Sequence, residues 1–177
     1  MKKITEWFET ENKSDIRFFI YSTVLIYLYI CCVLSVLNFL GISEQCESNV
    51  MVANSSVPNL INETAFYWNV AWGEEVWARL IPFILFVKCF GRSRITLCVC
   101  FLAGLAFGLA HIFRGFDHWF FPIIIQGGVG IYFWILFLKC GGFQGKYLKA
   151  FSYSSVAHFL WNILLTRYLI IFSFPHP

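Results

Sequence analysis

Two adjacent carboxylates, Glu74 and Glu75, precede Arg79 in an otherwise apolar stretch of the chain. Because a charge at bilayer depth costs at least about 2.5 kcal/mol, this group of charges needs a physical explanation. On a helix Glu75 and Arg79 lie one turn apart on the same face, whereas Glu74 is rotated by about 100°. We therefore predict an ion pair between Glu75 and Arg79, with Glu74 facing a cavity as a general base for water. A buried triad without chemistry is the alternative that these three residues leave open.

Two later apolar segments carry polar groups at the same helical spacing. Phe107 and His111 are four residues apart, as are His158 and Asn162, so each pair shares a helix face. A glutamate with a histidine can activate water, and a histidine with an amide can donate hydrogen bonds to an oxyanion. This division of roles predicts peptide hydrolysis, whereas interhelical hydrogen bonding alone is the alternative for each pair. The predicted catalytic residues are Glu74, His111, His158 and Asn162.

The segments that carry these groups have the composition of membrane helices. Hydrophobic residues make up 59% of the 177 residues and charged residues only 13%, about half the charged share of a soluble domain. Five apolar segments each approach the roughly 20 residues that a bilayer requires. They are residues 17–40, 66–88, 95–113, 119–139 and 150–172. We therefore expect an all-α polytopic membrane helix bundle of about five transmembrane helices.

The chain divides into three parts on this pattern. Residues 1–16 form a cytoplasmic N-terminal segment, residues 17–65 a first transmembrane helix with an external loop, and residues 66–177 a core of about four transmembrane helices. Glycines inside the core segments allow helices to approach closely. These glycines are Gly104, Gly108, Gly127, Gly128 and Gly130.

Basic residues concentrate in alternate loops and predict the topology. The basic residues near the first and fourth spans are Lys2, Lys3, Lys13, Arg17, Lys139, Lys146 and Lys149, whereas the loop 41–65 has no Lys or Arg. The positive-inside rule then predicts a multi-pass protein of the inner (plasma) membrane, with a cytoplasmic N-terminus and an external C-terminus. Because the net charge is only +3 and the basic clusters are explained by topology, no nucleic-acid partner is expected.

Three short motifs occur in order on separate apolar segments: Glu-Glu-x-x-x-Arg at 74–79, Phe-x-x-x-His at 107–111 and His-x-x-x-Asn at 158–162. Together they resemble the CPBP (or Abi) family of intramembrane proteases, which includes the CAAX prenyl endopeptidases. The glycine-bearing segment 126–132 resembles the span that these proteins carry between the second and third motifs. The resemblance covers roughly residues 66–172.

The resemblance implies a role for each matched residue. Glu74 is expected to activate water with His111 as its partner, and His158 with Asn162 to stabilise the oxyanion. The remaining matches are a structural ion pair, Glu75 and Arg79, and a residue that packs beside the site, Phe107. The family implies no obligatory cofactor, although Glu74, His111 and His158 resemble a set of zinc ligands.

The chain is shorter than the prenyl endopeptidases, with one predicted span before the first motif. In this it resembles the small bacterial sorting proteases of the family, the myxosortase-type enzymes. That resemblance implies removal of a C-terminal sorting tail, with a membrane-anchored protein that has a C-terminal transmembrane tail and the lipid bilayer as partners. The alternatives are CAAX-prenyl-endopeptidase-like processing of a lipidated protein and a non-enzymatic membrane immunity or scaffold protein.

Overall fold

The computed structural model describes residues 2–12, 14–41, 57–111 and 119–172. Residues 42–56 of the predicted external loop, residues 112–118 and residues 173–177 therefore lie outside the described part of the chain. The helices are α1 Lys2–Glu9, α2 Asp15–Phe39, α3 Val57–Glu75, α4 Ile81–Phe90, α5 Arg94–Ala110, α6 Phe120–Pro122, α7 Gly128–Lys139 and α8 Tyr147–Phe172. The described residues contain no strand, and the predicted all-α class is confirmed.

In the part of the chain that the structure describes, two π-helical turns interrupt otherwise continuous helices. Val76–Leu80 connects α3 to α4, and Ile123–Gly127 connects α6 to α7. In the first turn the N–H of Ile81 donates to the carbonyl of Val76, five residues back. Such turns are rare in proteins, and those that occur are often found at functional sites. The wider turn changes the direction of the side chains that follow it.

Helix α7 is the centre of the bundle. It packs against α5 and α8, and α8 in turn packs against α3. Residues on several sides of α7 are fully buried, including Val129, Phe133, Trp134 and Phe137. One apolar cluster joins α7 to α2 and α8, and a second joins it to α1, α4 and α5. A helix that is apolar all round is stable only when surrounded in this way by other helices or by lipid.

Helices α5 and α7 approach each other through glycines. A Cβ atom on Gly108 would lie 2.6 Å from the backbone nitrogen of Gly127, and one on Gly104 would lie 2.8 Å from the backbone nitrogen of Ile131. Both distances are shorter than carbon–nitrogen packing permits, so only glycine allows this approach. The predicted close contact is confirmed, and it brings the end of α5, with Phe107, against the core.

Among the described residues, two helical stretches are long and apolar enough to cross a membrane, Asp15–Leu37 and Phe120–Gln144. They coincide with the predicted spans at 17–40 and 119–139. In the 18-residue apolar part of the second stretch, 67% is buried inside the molecule, as in the core helix of a soluble protein, so length and composition alone do not establish a membrane span. The other three predicted spans are not confirmed: α5 is shorter, 66–88 holds four charged residues, and the side chains of α8 are described only to residue 163.

Residues 7–15 dock on residues 139–149, and we call these contacts the N-terminal clasp. Phe8 is buried against Phe143, with ring centroids 6.1 Å apart. The ammonium of Lys139, at the end of α7, donates hydrogen bonds to the carbonyls of Trp7 and Thr10 and so caps the end of α1. The ion pairs of the clasp are Glu11 with Lys146 and Asp15 with Lys149.

Candidate active site

Glu75 and Arg79 form a buried ion pair. Glu75 is the last residue of α3, Arg79 lies in the π turn that follows, and the carboxylate Oε1 is 2.8 Å from the guanidinium Nη1. Both side chains are 0% exposed. The contact predicted from their spacing is therefore confirmed.

Two phenyl rings face the guanidinium of Arg79. Its central carbon lies 4.4 Å from the ring centroid of Phe107 on α5 and 5.1 Å from that of Phe133 on α7. Such cation–π contacts replace part of the lost hydration. Among the described residues, however, no group accepts a hydrogen bond from Nε or Nη2. Buried donors without acceptors are destabilising, so among these residues the stabilisation of Arg79 comes from the Glu75 carboxylate and the two phenyl rings.

His158, on α8, lies between the two glutamates. Its Nδ1 is 2.9 Å from Oε1 of Glu75, and its Nε2 is 3.5 Å from Oε2 of Glu74. The imidazole stacks on Phe133 at 4.7 Å between ring centroids and meets the edge of Phe107 at 5.8 Å. Both ring nitrogens and one face of the imidazole are thus in contact with side chains.

The two glutamates have different environments. Glu75 is fully buried between Arg79 and His158, whereas Glu74 is 25% exposed beside His158. The structure therefore contains the predicted difference between a carboxylate fixed in an ion pair, Glu75, and a more accessible one, Glu74. The action of Glu74 as a general base stays a prediction.

His111 ends α5 and is buried beside Phe107. Its Nδ1 is 2.7 Å from the carbonyl oxygen of Phe107, and the two rings lie 4.6 Å apart. A carbonyl oxygen only accepts, so Nδ1 carries the hydrogen of this bond. Phe107 therefore contacts both histidines and Arg79, and its predicted packing beside the site is confirmed.

Two predicted pairings are not tested by these contacts. Asn162 lies half-buried on α8, one turn after His158, and its partnership with that histidine at an oxyanion stays a prediction. The same holds for the partnership of His111 with Glu74. What the sequence did not predict is the contact of His158 with Glu75, which crosses from α8 to α3.

Phe133 is a site residue that the sequence analysis missed. It stacks on His158 and lies beneath Arg79, so it contacts both of these residues of the cluster. Nothing in its residue type distinguishes it among the 21 phenylalanines of the chain. Its position three residues after Gly130, in the segment that α5 approaches closely, is the one available signal.

In the described part of the chain, no three His, Cys, Asp or Glu side chains form a group that could hold a metal ion. The possibility that Glu74, His111 and His158 bind zinc stays a prediction. The groups that do converge are Glu74, Glu75 and His158, which offer proton transfer and hydrogen bonding.

A scan of protein-family models, a search of curated proteins and a search of solved structures each found no match to this chain. The resemblance to the CPBP family remains an expectation that depends on its three motifs.

Proposed function

We propose that this protein is a glutamate-type intramembrane endopeptidase, which hydrolyses a peptide bond of a membrane-anchored protein and removes a C-terminal sorting tail. The observation that carries the proposal is the convergence of Glu74 and Glu75 on the two ring nitrogens of His158. Carboxylates and an imidazole in contact are a usual apparatus for general acid–base catalysis. The partial exposure of Glu74 gives water a route to one of them.

The proposed reaction begins with proton transfer from water to the carboxylate of Glu74. The water oxygen forms a bond to the scissile carbonyl carbon, and the carbonyl electron pair moves to its oxygen. Hydrogen bonds from His158 and Asn162 stabilise this oxyanion, while His111 assists Glu74. The carbon–nitrogen bond then breaks as the proton is delivered to the departing amine nitrogen.

We also propose that the helices at 66–88, 95–113 and 150–172 complete a five-span bundle in the inner membrane. The N-terminal clasp supports the topology, because it joins residues 7–15 to residues 139–149 at one end of the bundle. The positive-inside rule assigns both segments to the cytoplasm. A reporter enzyme that is active only outside the cytoplasm should then be active when fused after residue 177 and inactive after residue 145.

The principal test is coexpression with a membrane protein that ends in a short motif, an apolar span and basic residues. We expect the wild-type protein to shorten it and Glu74→Gln to abolish shortening, because the amide cannot take a proton from water. Membrane accumulation of the variant should be unchanged, since Glu74 is not part of the buried pair. An immunoblot of a tag placed before the tail reports the cleavage.

The control for this test is Glu9→Gln, the same substitution at an exposed position of α1. This variant should cleave as the wild type does. Unchanged cleavage by Glu74→Gln would rule out its role as the base.

A non-enzymatic scaffold is the second candidate, and one observation favours it. Arg79 is enclosed by Phe107, Phe133 and Glu75, an arrangement that can hold helices together without any reaction. A scaffold would leave the tail-bearing protein at full length in every variant. Cleavage of a prenylated peptide would indicate CAAX-type processing, whereas cleavage of the tail-bearing protein alone would indicate tail removal.

A further inference from the structure

The two nitrogens of His158 face carboxylates at different distances. The 2.9 Å between Nδ1 and Oε1 of Glu75 is a hydrogen-bond distance, whereas the 3.5 Å between Nε2 and Oε2 of Glu74 is longer than the usual range of about 2.7–3.2 Å. The Glu75 oxygen is also 2.8 Å from the Arg79 guanidinium, so it is a carboxylate oxygen that only accepts. The hydrogen in the short bond therefore belongs to Nδ1.

This bond decides the tautomer of the neutral imidazole. When Nδ1 carries the hydrogen, Nε2 has a lone pair that faces Glu74, where it can accept a proton that the Glu74 carboxyl group has taken up. A ring rotated by half a turn would lose the bond to Glu75, and the stacking with Phe133 favours the observed ring plane. At 3% exposure His158 has little access to water that could replace the lost bond.

Arg79 stabilises this arrangement through Glu75. Its Nη1 pairs with the same oxygen that accepts from His158, and its guanidinium is enclosed by the rings of Phe107 and Phe133. A connected chain thus leads from Arg79 through Glu75 and His158 to Glu74. It crosses from α3 and its π turn to α8, so it exists only in the folded protein.

We propose that Glu75 is a positioning residue that acts through His158, fixing the imidazole tautomer and directing Nε2 towards Glu74. The proposal rests on the proposed function for the reaction itself, and it goes beyond the structural ion pair that the family resemblance implies. The proton that Glu74 removes from water then passes to Nε2, and the resulting Nε2–H can donate the hydrogen bond to the oxyanion that the proposed function assigns to His158. From the imidazolium it passes to the departing amine nitrogen as the carbon–nitrogen bond breaks, which returns His158 to its neutral form.

The test reads the tautomer directly. In protein labelled with ¹⁵N-histidine and held in lipid nanodiscs, long-range proton–nitrogen spectra show which ring nitrogen carries the hydrogen. The chain has four histidines, and the His158 signals are assigned by their loss in His158→Gln. We expect a single Nδ1–H tautomer for His158 in the wild type.

The informative variant is the double substitution Glu75→Gln with Arg79→Met. It removes both charges together, so no unpaired charge is left buried. A glutamine side chain can present either its oxygen or its amide hydrogens to Nδ1, so both tautomers should appear. The kcat for tail removal should fall by about 10²- to 10⁴-fold with little change in KM, as expected for loss of general acid–base catalysis.

The matched control is Glu74→Gln, which changes the neighbouring carboxylate. It should keep the Nδ1–H tautomer and lose tail removal, because Glu74 is not bonded to Nδ1. An Nε2–H tautomer in the wild type, or an unchanged tautomer in the double variant, would overturn the role of Glu75 whatever the activity. A different result would be a wild type that shows no proteolysis while the double variant still loses the single tautomer. That result would overturn the proposed function, but it would support the control of the His158 tautomer by Glu75.

Discussion

Carboxylate–cation pairs occur in both the candidate active site and the N-terminal clasp. The pair in the site is buried, whereas the Glu11–Lys146 pair of the clasp is exposed to water. In the candidate active site Glu75 and Arg79 are both 0% exposed, whereas in the N-terminal clasp Lys146 and Glu11 are 49% and 65% exposed. Ion pairs in water contribute little, because solvent and salt screen them and ordering long side chains is unfavourable. In a buried pair each charge depends on its partner, since removing one leaves the other without solvation. The same pairing chemistry therefore has different consequences at the two places.

The largest effect should follow from breaking the buried pair. We expect Arg79→Met to lower the free energy of unfolding by about 3–5 kcal/mol, because Glu75 would remain buried without a counter-charge. Denaturant unfolding of the purified protein, followed by tryptophan fluorescence, measures this. Glu75→Gln combined with Arg79→Met should recover much of the loss. A single variant as stable as the wild type would mean that the buried pair is not coupled in this way.

An intermediate effect should follow from removing the apolar part of the clasp. Phe8→Ala should weaken docking of α1 by about 1.5–3 kcal/mol, the contribution of a buried aromatic side chain. Phe8 is buried in the cluster around Phe143. Hydrogen exchange of α1 amides should therefore accelerate while the site is unchanged. Ile4→Ala is the control, since Ile4 is exposed on the same helix. Equal amide exchange rates in Phe8→Ala and Ile4→Ala would mean that the polar contacts of the clasp, rather than Phe8, stabilise the docking of α1.

The smallest effect should follow from Glu11→Gln. The hydrogen bond from Lys146 lowers the pKa of Glu11, so the folded protein stabilises the ionised form. This contribution is present above the ordinary glutamate pKa and is lost as the pH falls through the lowered value. At neutral pH and moderate salt we expect α1 amide exchange close to that of the wild type. A large loss of protection would show that this exposed pair is stronger than others of its kind.

The comparison also explains which contacts could be predicted from the sequence. Glu75 and Arg79 are four residues apart, and local geometry alone brings them together. The glycines of α5 and α7 indicated a close helix contact, because small residues in apolar segments have few other uses. The link from His158 to Glu75 joins residues 83 positions apart and has no such local signal. The clasp was likewise not predicted, since its pairs join residues 11 and 15 to residues 146 and 149.

The sequence by itself determined the helical class, the candidate residues and the local ion pair, because hydrophobic period and i, i+4 spacing are properties of a single helix. Only the tertiary structure decided that His158 bridges the two glutamates, that Phe133 stacks beside it, and that Arg79 is enclosed by two phenyl rings. These contacts depend on how α3, α5, α7 and α8 pack. That packing is set by the summed shape of many apolar side chains, which no short motif encodes.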